Sequence, residues 1–148
     1  MKKHIFIMIS LLFVLLFSCT YASAIDLTQD KYVKVYEDMT KAIYMNINSP
    51  TVTRYAPPYY IIRGEMVYQD YTKDTITVYI DNYFYDYTYQ VIGYQPTGAA
   101  TVYFSDGTIA SAPFPVLDPV AILPKGSIGS NIGDKYFSIC YNMPFYKN

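Results

Sequence analysis

Thr75-Ile76-Thr77-Val78-Tyr79-Ile80-Asp81-Asn82-Tyr83-Phe84-Tyr85-Asp86-Tyr87-Thr88-Tyr89-Gln90-Val91 is the stretch from which the fold is read. Up to Ile80 the aliphatic residues fall on even numbers, Ile76, Val78 and Ile80, as on one face of a half-buried strand. From Tyr83 onward the odd positions carry Tyr83, Tyr85, Tyr87, Tyr89 and Val91, with Asn82, Asp86, Thr88 and Gln90 between them. A strand reverses its faces through a bulge or a turn, which the pattern predicts at Asp81-Asn82. Asp86-Tyr87 offers a second turn site.

The period of two extends to both sides. Tyr32–Asp38 reads as a strand, Asp38–Lys41 as a turn, and Ala42–Ile47 as the returning strand, closed by Asn48-Ser49-Pro50. Tyr59–Tyr71 is a long β-rich run in which Gly64 suggests a bulge, and Lys73-Asp74 turns it back into Thr75. Val102–Ser105, Asp106-Gly107 and Thr108–Ser111 form the clearest hairpin, with Asp-Gly suited to a two-residue type I′ turn. Pro113–Pro124 holds Pro113, Pro115, Pro119 and Pro124 and reads as an extended connector. The period then becomes helical. Ser127 is a capping residue, and Ile128, Ile132, Tyr136, Ile139 and Cys140 recur along one helix face. Gly129 and Gly133 weaken that helix, each by about 1 kcal/mol relative to alanine, so packing on the sheet must compensate. The expected architecture is α+β: a mainly antiparallel sheet with one C-terminal helix packed on it.

Ahead of this domain stand Met1-Lys2-Lys3-His4 and an apolar run from Ile5 to Phe17 interrupted by Ser10. A basic start and a short apolar run make a secretion signal, too short for a membrane span of about 20 residues. Ala22-Ser23-Ala24 supplies a cleavage site between Ala24 and Ile25. Leu16-Phe17-Ser18-Cys19 offers a second route, lipidation at Cys19, which would anchor the protein to a membrane. The expected organisation is a signal peptide, 1–24, followed by a single domain, 25–148. Either route places the protein outside the cytoplasm: periplasmic, cell-surface or secreted, in a bacterium.

Removing residues 1–24 changes the chemistry available. Lys2 and Lys3 leave, so twelve acids face nine of the eleven bases and the net charge is −3 instead of −1. With no basic block, nucleic acid is not an expected partner. The sole histidine, His4, leaves too, and with it histidine-dependent nucleophilic catalysis and histidine-ligated zinc. Cys140 remains as the single cysteine, which gives neither an internal disulfide nor a thiolate cage. Gly126, Gly129 and Gly133 lack the context of a phosphate loop. The sequence implies no cofactor and no metal. Glu37, Glu65, Asp81 and Asp86 are the acids available for carboxylate catalysis, which needs a placed pair. An enzyme is therefore not expected. Asp70, Asp74, Asp81 and Asp86 lack the loop spacing of a calcium site.

Four motifs follow in order: the opening Tyr32-Val33-Lys34-Val35-Tyr36-Glu37-Asp38, the strand Ile43-Tyr44-Met45-Asn46-Ile47-Asn48-Ser49, the hairpin Phe104-Ser105-Asp106-Gly107, and the helix start Leu123-Pro124-Lys125-Gly126-Ser127-Ile128-Gly129 with Cys140 beyond it. In that order they resemble the bacterial surface-adhesin E family of small exported domains. The family's second cysteine, which falls near Tyr85-Asp86-Tyr87, is missing. The resemblance implies a non-enzymatic surface protein that attaches to host matrix or another extracellular or envelope macromolecule. The alternative is a soluble envelope domain that binds a small ligand or peptide through an aromatic sheet face.

Nineteen tyrosines and no tryptophan leave tyrosine as the candidate contact residue. Most suit half-buried strand positions. Tyr59 and Tyr60, after Pro57-Pro58, and Tyr83, Tyr85, Tyr87 and Tyr89 are the candidate exposed binding patch.

Overall fold

The computed structural model describes residues 25–104, 106–110 and 119–147. The leader with Cys19 and Ala24, the hairpin residues Ser105 and Ser111, and the first part of the proline-rich connector lie outside them.

Among the described residues, eight strands form one antiparallel sheet: β1 (Tyr32–Glu37), β2 (Lys41–Asn46), β3 (Thr51–Ala56), β4 (Tyr59–Asp70), β5 (Thr75–Asp86), β6 (Val91–Phe104), β7 (Ile109–Ala110) and β8 (Ala121–Leu123). The three long strands β4, β5 and β6 form a central meander. On one side β2 pairs with the second half of β4 and β3 with the first half. On the other side β8 pairs with the first half of β6 and β7 with its end. The helix α1 (Ile128–Tyr141) packs on the sheet, which gives the expected α+β architecture.

The change of alternation at Ile80 has a different cause from the one expected. β5 runs unbroken from Thr75 to Asp86 and pairs with β4 without a register shift. The buried side changes instead. In the first half of β5, Ile76 and Val78 join Ala42, Tyr44, Val67, Leu27 and Tyr32 on one face. In the second half Tyr83 and Tyr85 lie on the opposite face, under α1. A phase switch in polarity therefore records a core that crosses from one side of a continuous strand to the other. The irregularity is in β6, where Asp81 faces Pro96 while Ile80 faces Ala99.

Gly64 is likewise in register and not bulged. A Cβ there would stand 2.4 Å from the Tyr136 ring, so the missing side chain is the seat of that ring. The Tyr136 hydroxyl donates to the Glu65 carbonyl at 2.6 Å. Gly133 does the same for the helix: a Cβ would press on Ile92 and Tyr83 at 3.1 Å, and the Tyr85 hydroxyl donates to the Gly133 carbonyl at 2.8 Å. Close approach to the sheet offsets the helix propensity that glycine forfeits.

Ser127 caps α1 as expected, its Oγ accepting from the Ser130 amide at 3.2 Å. The buried stripe is Ser130, Ile132, Gly133, Tyr136 and Phe137. Ile128 and Ile139, expected on that face, sit at its flank and are exposed. At about 100° per residue the stripe centres near Tyr136 and Gly133, which brings in Phe137 and leaves those two isoleucines at the margin. Cys140 is half-buried and free, and burial pushes its thiol pKa up. After the helix the chain folds back: Phe145 is fully buried, and its amide donates to Asp134 Oδ1 at 2.7 Å. The rings of Tyr85, Phe137 and Phe145 meet with centroids 5.1–5.2 Å apart. Each such buried aromatic contributes about 1.5–3 kcal/mol.

Two further differences concern short elements. β3 and β8 were not expected, and β8 uses the end of the proline-rich connector. The Asp106-Gly107 hairpin is present but wider than a two-residue turn. Tyr103 faces Ile109, the Phe104 amide donates to Thr108 and the Gly107 amide to Phe104, and Gly107 takes φ 81°. That is the three-residue form with glycine in the left-handed position. Asp106 Oδ1 accepts from both the amide and the hydroxyl of Thr108. Asp26 with Thr28, Asp38 with Thr40 and Asp70 with Thr72 repeat the arrangement, and Asp86 takes the Thr88 and Tyr89 amides. These bonds hold the carboxyls of Asp26, Asp38, Asp70 and Asp106 below the usual carboxylate range.

Candidate functional site

Because α1 covers one face of the β3-to-β8 end of the sheet, the other face is left open there. A groove of about 590 Å³ crosses it. Directly opposed residues in an antiparallel ladder share a face, so its floor follows from register. Arg54 faces Ile61, Ile61 faces Phe84, Phe84 faces Gly93 and Gly93 faces Ile122. One step along, Tyr59 faces Asp86 and Asp86 faces Val91. Val120 lies over Gly93, where a Cβ would stand 2.6 Å from its Cγ1. Tyr89 closes the end from the β5–β6 turn.

The lining is apolar apart from Arg54, Asp86 and the tyrosine hydroxyls. Asp86 Oδ1 is engaged by the turn amides of Thr88 and Tyr89 at 3.0 and 3.1 Å. Arg54 forms no ion pair among the described residues, where the pairs are Lys34–Glu37 and Lys73–Asp70.

The six candidate tyrosines divide between the two faces. Tyr59, at 49% exposure, and Tyr89, at 75%, line the groove. Tyr83 and Tyr85, at 0% and 2%, belong to the core, although Tyr85 and Tyr60 also border the groove. Tyr60 and Tyr87 also turn to the helix side: Tyr60 meets Phe137 edge-on at 5.4 Å, and Tyr87 stacks on Phe137 at 6.0 Å. In the second half of β5 the odd positions Tyr83 and Tyr85 point to the face that α1 covers. Tyr55, on the edge strand β3, is a further exposed aromatic that sequence reasoning missed.

Asp81 is a second unusual place. It is fully buried, and neither carboxylate oxygen has a hydrogen-bond partner of good geometry. Gly64 lies opposite on one side and Pro96, which has no amide hydrogen, on the other. Tyr79, Tyr83, Tyr94 and Tyr136 surround it. Burial pushes its carboxyl up to about 6, with the Tyr94 hydroxyl pulling weakly the other way. Burial in turn raises the hydroxyls of Tyr83, Tyr94 and Tyr136 far above the ordinary tyrosine value.

The four acids weighed for catalysis lie apart. Glu65 and Asp81 fall on opposite faces, Glu65 accepting from Asn46 at 2.8 Å. Asp86 lies five residues beyond Asp81 along β5, on the groove face. Glu37 is on β1, bonded to Lys34 and Tyr71. Among the described residues no cluster of acids, cysteine or histidine has the makings of a metal site, and no helix is long and apolar enough to cross a membrane. Comparison of the chain with protein-family models, curated proteins and solved structures gave no match.

Proposed function

We propose that this is an exported, non-enzymatic binding domain of the bacterial envelope whose ligand lies in the groove on the open sheet face. One observation carries the reading: an apolar concavity of about 590 Å³ with few polar groups, within the range of about 300–1,000 Å³ usual for small-ligand sites. Export draws on the leader and its alternative processing points, Ala24-Ile25 and Cys19. Intact mass of the natively produced protein tests it: a chain starting at Ile25 supports secretion, and a lipidated chain starting at Cys19 supports membrane anchoring.

The groove is tested by fluorescence titration with Nile red, a neutral apolar dye. Ile122 is 66% exposed, so Ile122→Glu places a charge in the groove without disturbing the core. The expected result is about one bound dye per chain, lost in that variant. Dye binding unchanged by the substitution, or absent from the wild type, refutes the reading.

The surface-attachment reading has its own support in the exposed rings of Tyr55, Tyr59 and Tyr89 around the same end of the sheet. Aromatic rings of this kind anchor macromolecular interfaces. Tyr55→Ser and Tyr89→Ser together should lower attachment of the protein to immobilised matrix, and unchanged attachment would count against this second reading.

A further inference from the structure

We infer that the occupant of the groove is a free amphipathic acid: an elongated apolar body ending in one carboxylate that Arg54 receives. The inference rests on the ligand-binding reading and specifies the ligand's chemistry. The groove follows the row Arg54, Ile61, Phe84, Gly93, Ile122. That row crosses five strands, a span of about 19 Å at the usual interstrand spacing. Two charged side chains line it, Arg54 on β3 and Asp86 at the end of β5, and Asp86 Oδ1 is already taken up by the turn amides of Thr88 and Tyr89. Arg54 stands at one end as a cation with no acidic partner among the described residues. Ile61, Phe84, Val120 and Ile122 form the rest of the row and its cover. Arg63, the other arginine of the chain, is already bonded to Asn82.

The direction of the groove excludes a peptide as the better occupant. It runs across the strands, over side chains and not along the free edges of β3 and β8, so a peptide lying in it would bury amide and carbonyl groups without partners. A sugar would leave its hydroxyls unmatched for the same reason. A cationic amphiphile would bring like charge to Arg54. An apolar chain needs no partners along the floor, and a terminal carboxylate matches the guanidinium fork.

The experiment is calorimetric titration of the exported protein at pH 8 with dodecanoate, dodecan-1-ol and dodecyltrimethylammonium, each below its micellar concentration. Dodecanoate is expected to bind about tenfold more tightly than the alcohol, as one charge-assisted pair provides, and the cation more weakly than either. Arg54→Gln should remove the advantage of the carboxylate and leave the alcohol unchanged, and Ile122→Glu should weaken all three. Equal affinity for acid and alcohol, or an Arg54→Gln variant like the wild type, overturns the acid assignment while leaving the groove reading in place. No binding of any probe, or binding indifferent to Ile122→Glu, overturns both. Sedimentation equilibrium covers a remaining occupant: a dimer that Ile122→Glu disperses would mean that a second copy of the chain fills the groove. Anionic phosphatidylglycerol vesicles are not expected to retain the protein. Retention on vesicles without dodecanoate binding would make the ligand a membrane surface and refute the inference.

Discussion

Replacing Asp81 with asparagine should stabilise the protein at neutral pH and lose that effect in acid. The folded carboxyl has a pKa of about 6, against an ordinary value of 3.8. At pH 3 and below both folded and unfolded chains mostly hold the proton and no charge is buried. Between pH 4 and 6 the unfolded chain releases it first, so stability falls as pH rises, and above pH 6 the loss is complete. The displacement corresponds to about 3 kcal/mol. Asparagine brings unpartnered polar atoms of its own, at a cost of about 1–3 kcal/mol, but that cost is present at every pH. The informative quantity is therefore the change in the difference between variant and wild type. It should move by about 3 kcal/mol in the variant's favour from pH 3 to pH 7.5. Urea unfolding followed by tyrosine fluorescence at several pH values measures it, each curve extrapolated linearly. The carboxylates of the turns titrate alike in both proteins and cancel. A difference that stays constant with pH, or that moves in favour of the wild type, would mean that Asp81 is not a buried, unpartnered acid but has partners which hold it ionised.

Gly64→Ala should cost about 1–3 kcal/mol in the same unfolding assay: its Cβ meets the Tyr136 ring at 2.4 Å, and that ring is tied to the Glu65 carbonyl. Phe145→Ala should cost about 3–5 kcal/mol, since it empties a fully buried site among Tyr85, Tyr87 and Phe137; a change under 1 kcal/mol would show that the C-terminal tail is not docked. Asp38 has its pKa held low by Thr40, Tyr36 and Lys41. Its contribution is present above the unfolded value and is lost as pH falls through the folded one, so the deficit of Asp38→Ala relative to wild type should shrink towards pH 2.

Strand positions around Tyr32, Ala42, Tyr59 and Thr75, and the helix start at Ser127, were legible because local patterning and tertiary burial agree there. Asp81 was not legible as a buried acid. Its neighbourhood reads as a turn because the apolar phase reverses around it, and one-dimensional alternation does not distinguish a strand that flips from a core that changes sides. Phe145 lies beyond the helical period, and nothing local announces that the chain doubles back on Asp134. β3 escaped because Thr51–Tyr55 is exposed and shows no buried face. The groove was the least accessible feature. Tyr59 and Tyr89 were among the tyrosines singled out, but Arg54, Phe84 and Ile122 meet only through the register of five strands, which no single segment encodes. The recurring aspartate-x-threonine turns were visible in the letters, and their meaning required the bonds from threonine back to the aspartate.

The placement of α1 has a consequence for the order in which the molecule can become complete. Neighbouring strands of the central meander follow one another in the chain, so β4, β5 and β6 can pair as synthesis proceeds. The helix instead reaches far back, Tyr136 to Glu65 across 71 residues and Gly133 to Tyr85 across 48. Until residues 128–147 have left the ribosome, Ile62, Tyr83, Tyr85 and Ile92 form a wide apolar sheet face with nothing laid over it. Such a face invites association with other nascent chains and with chaperones. A chain stalled or cut before Ile128 would keep its strands and remain sticky, so roughly the last seventh of the sequence decides whether the finished sheet is covered or stays an aggregation surface.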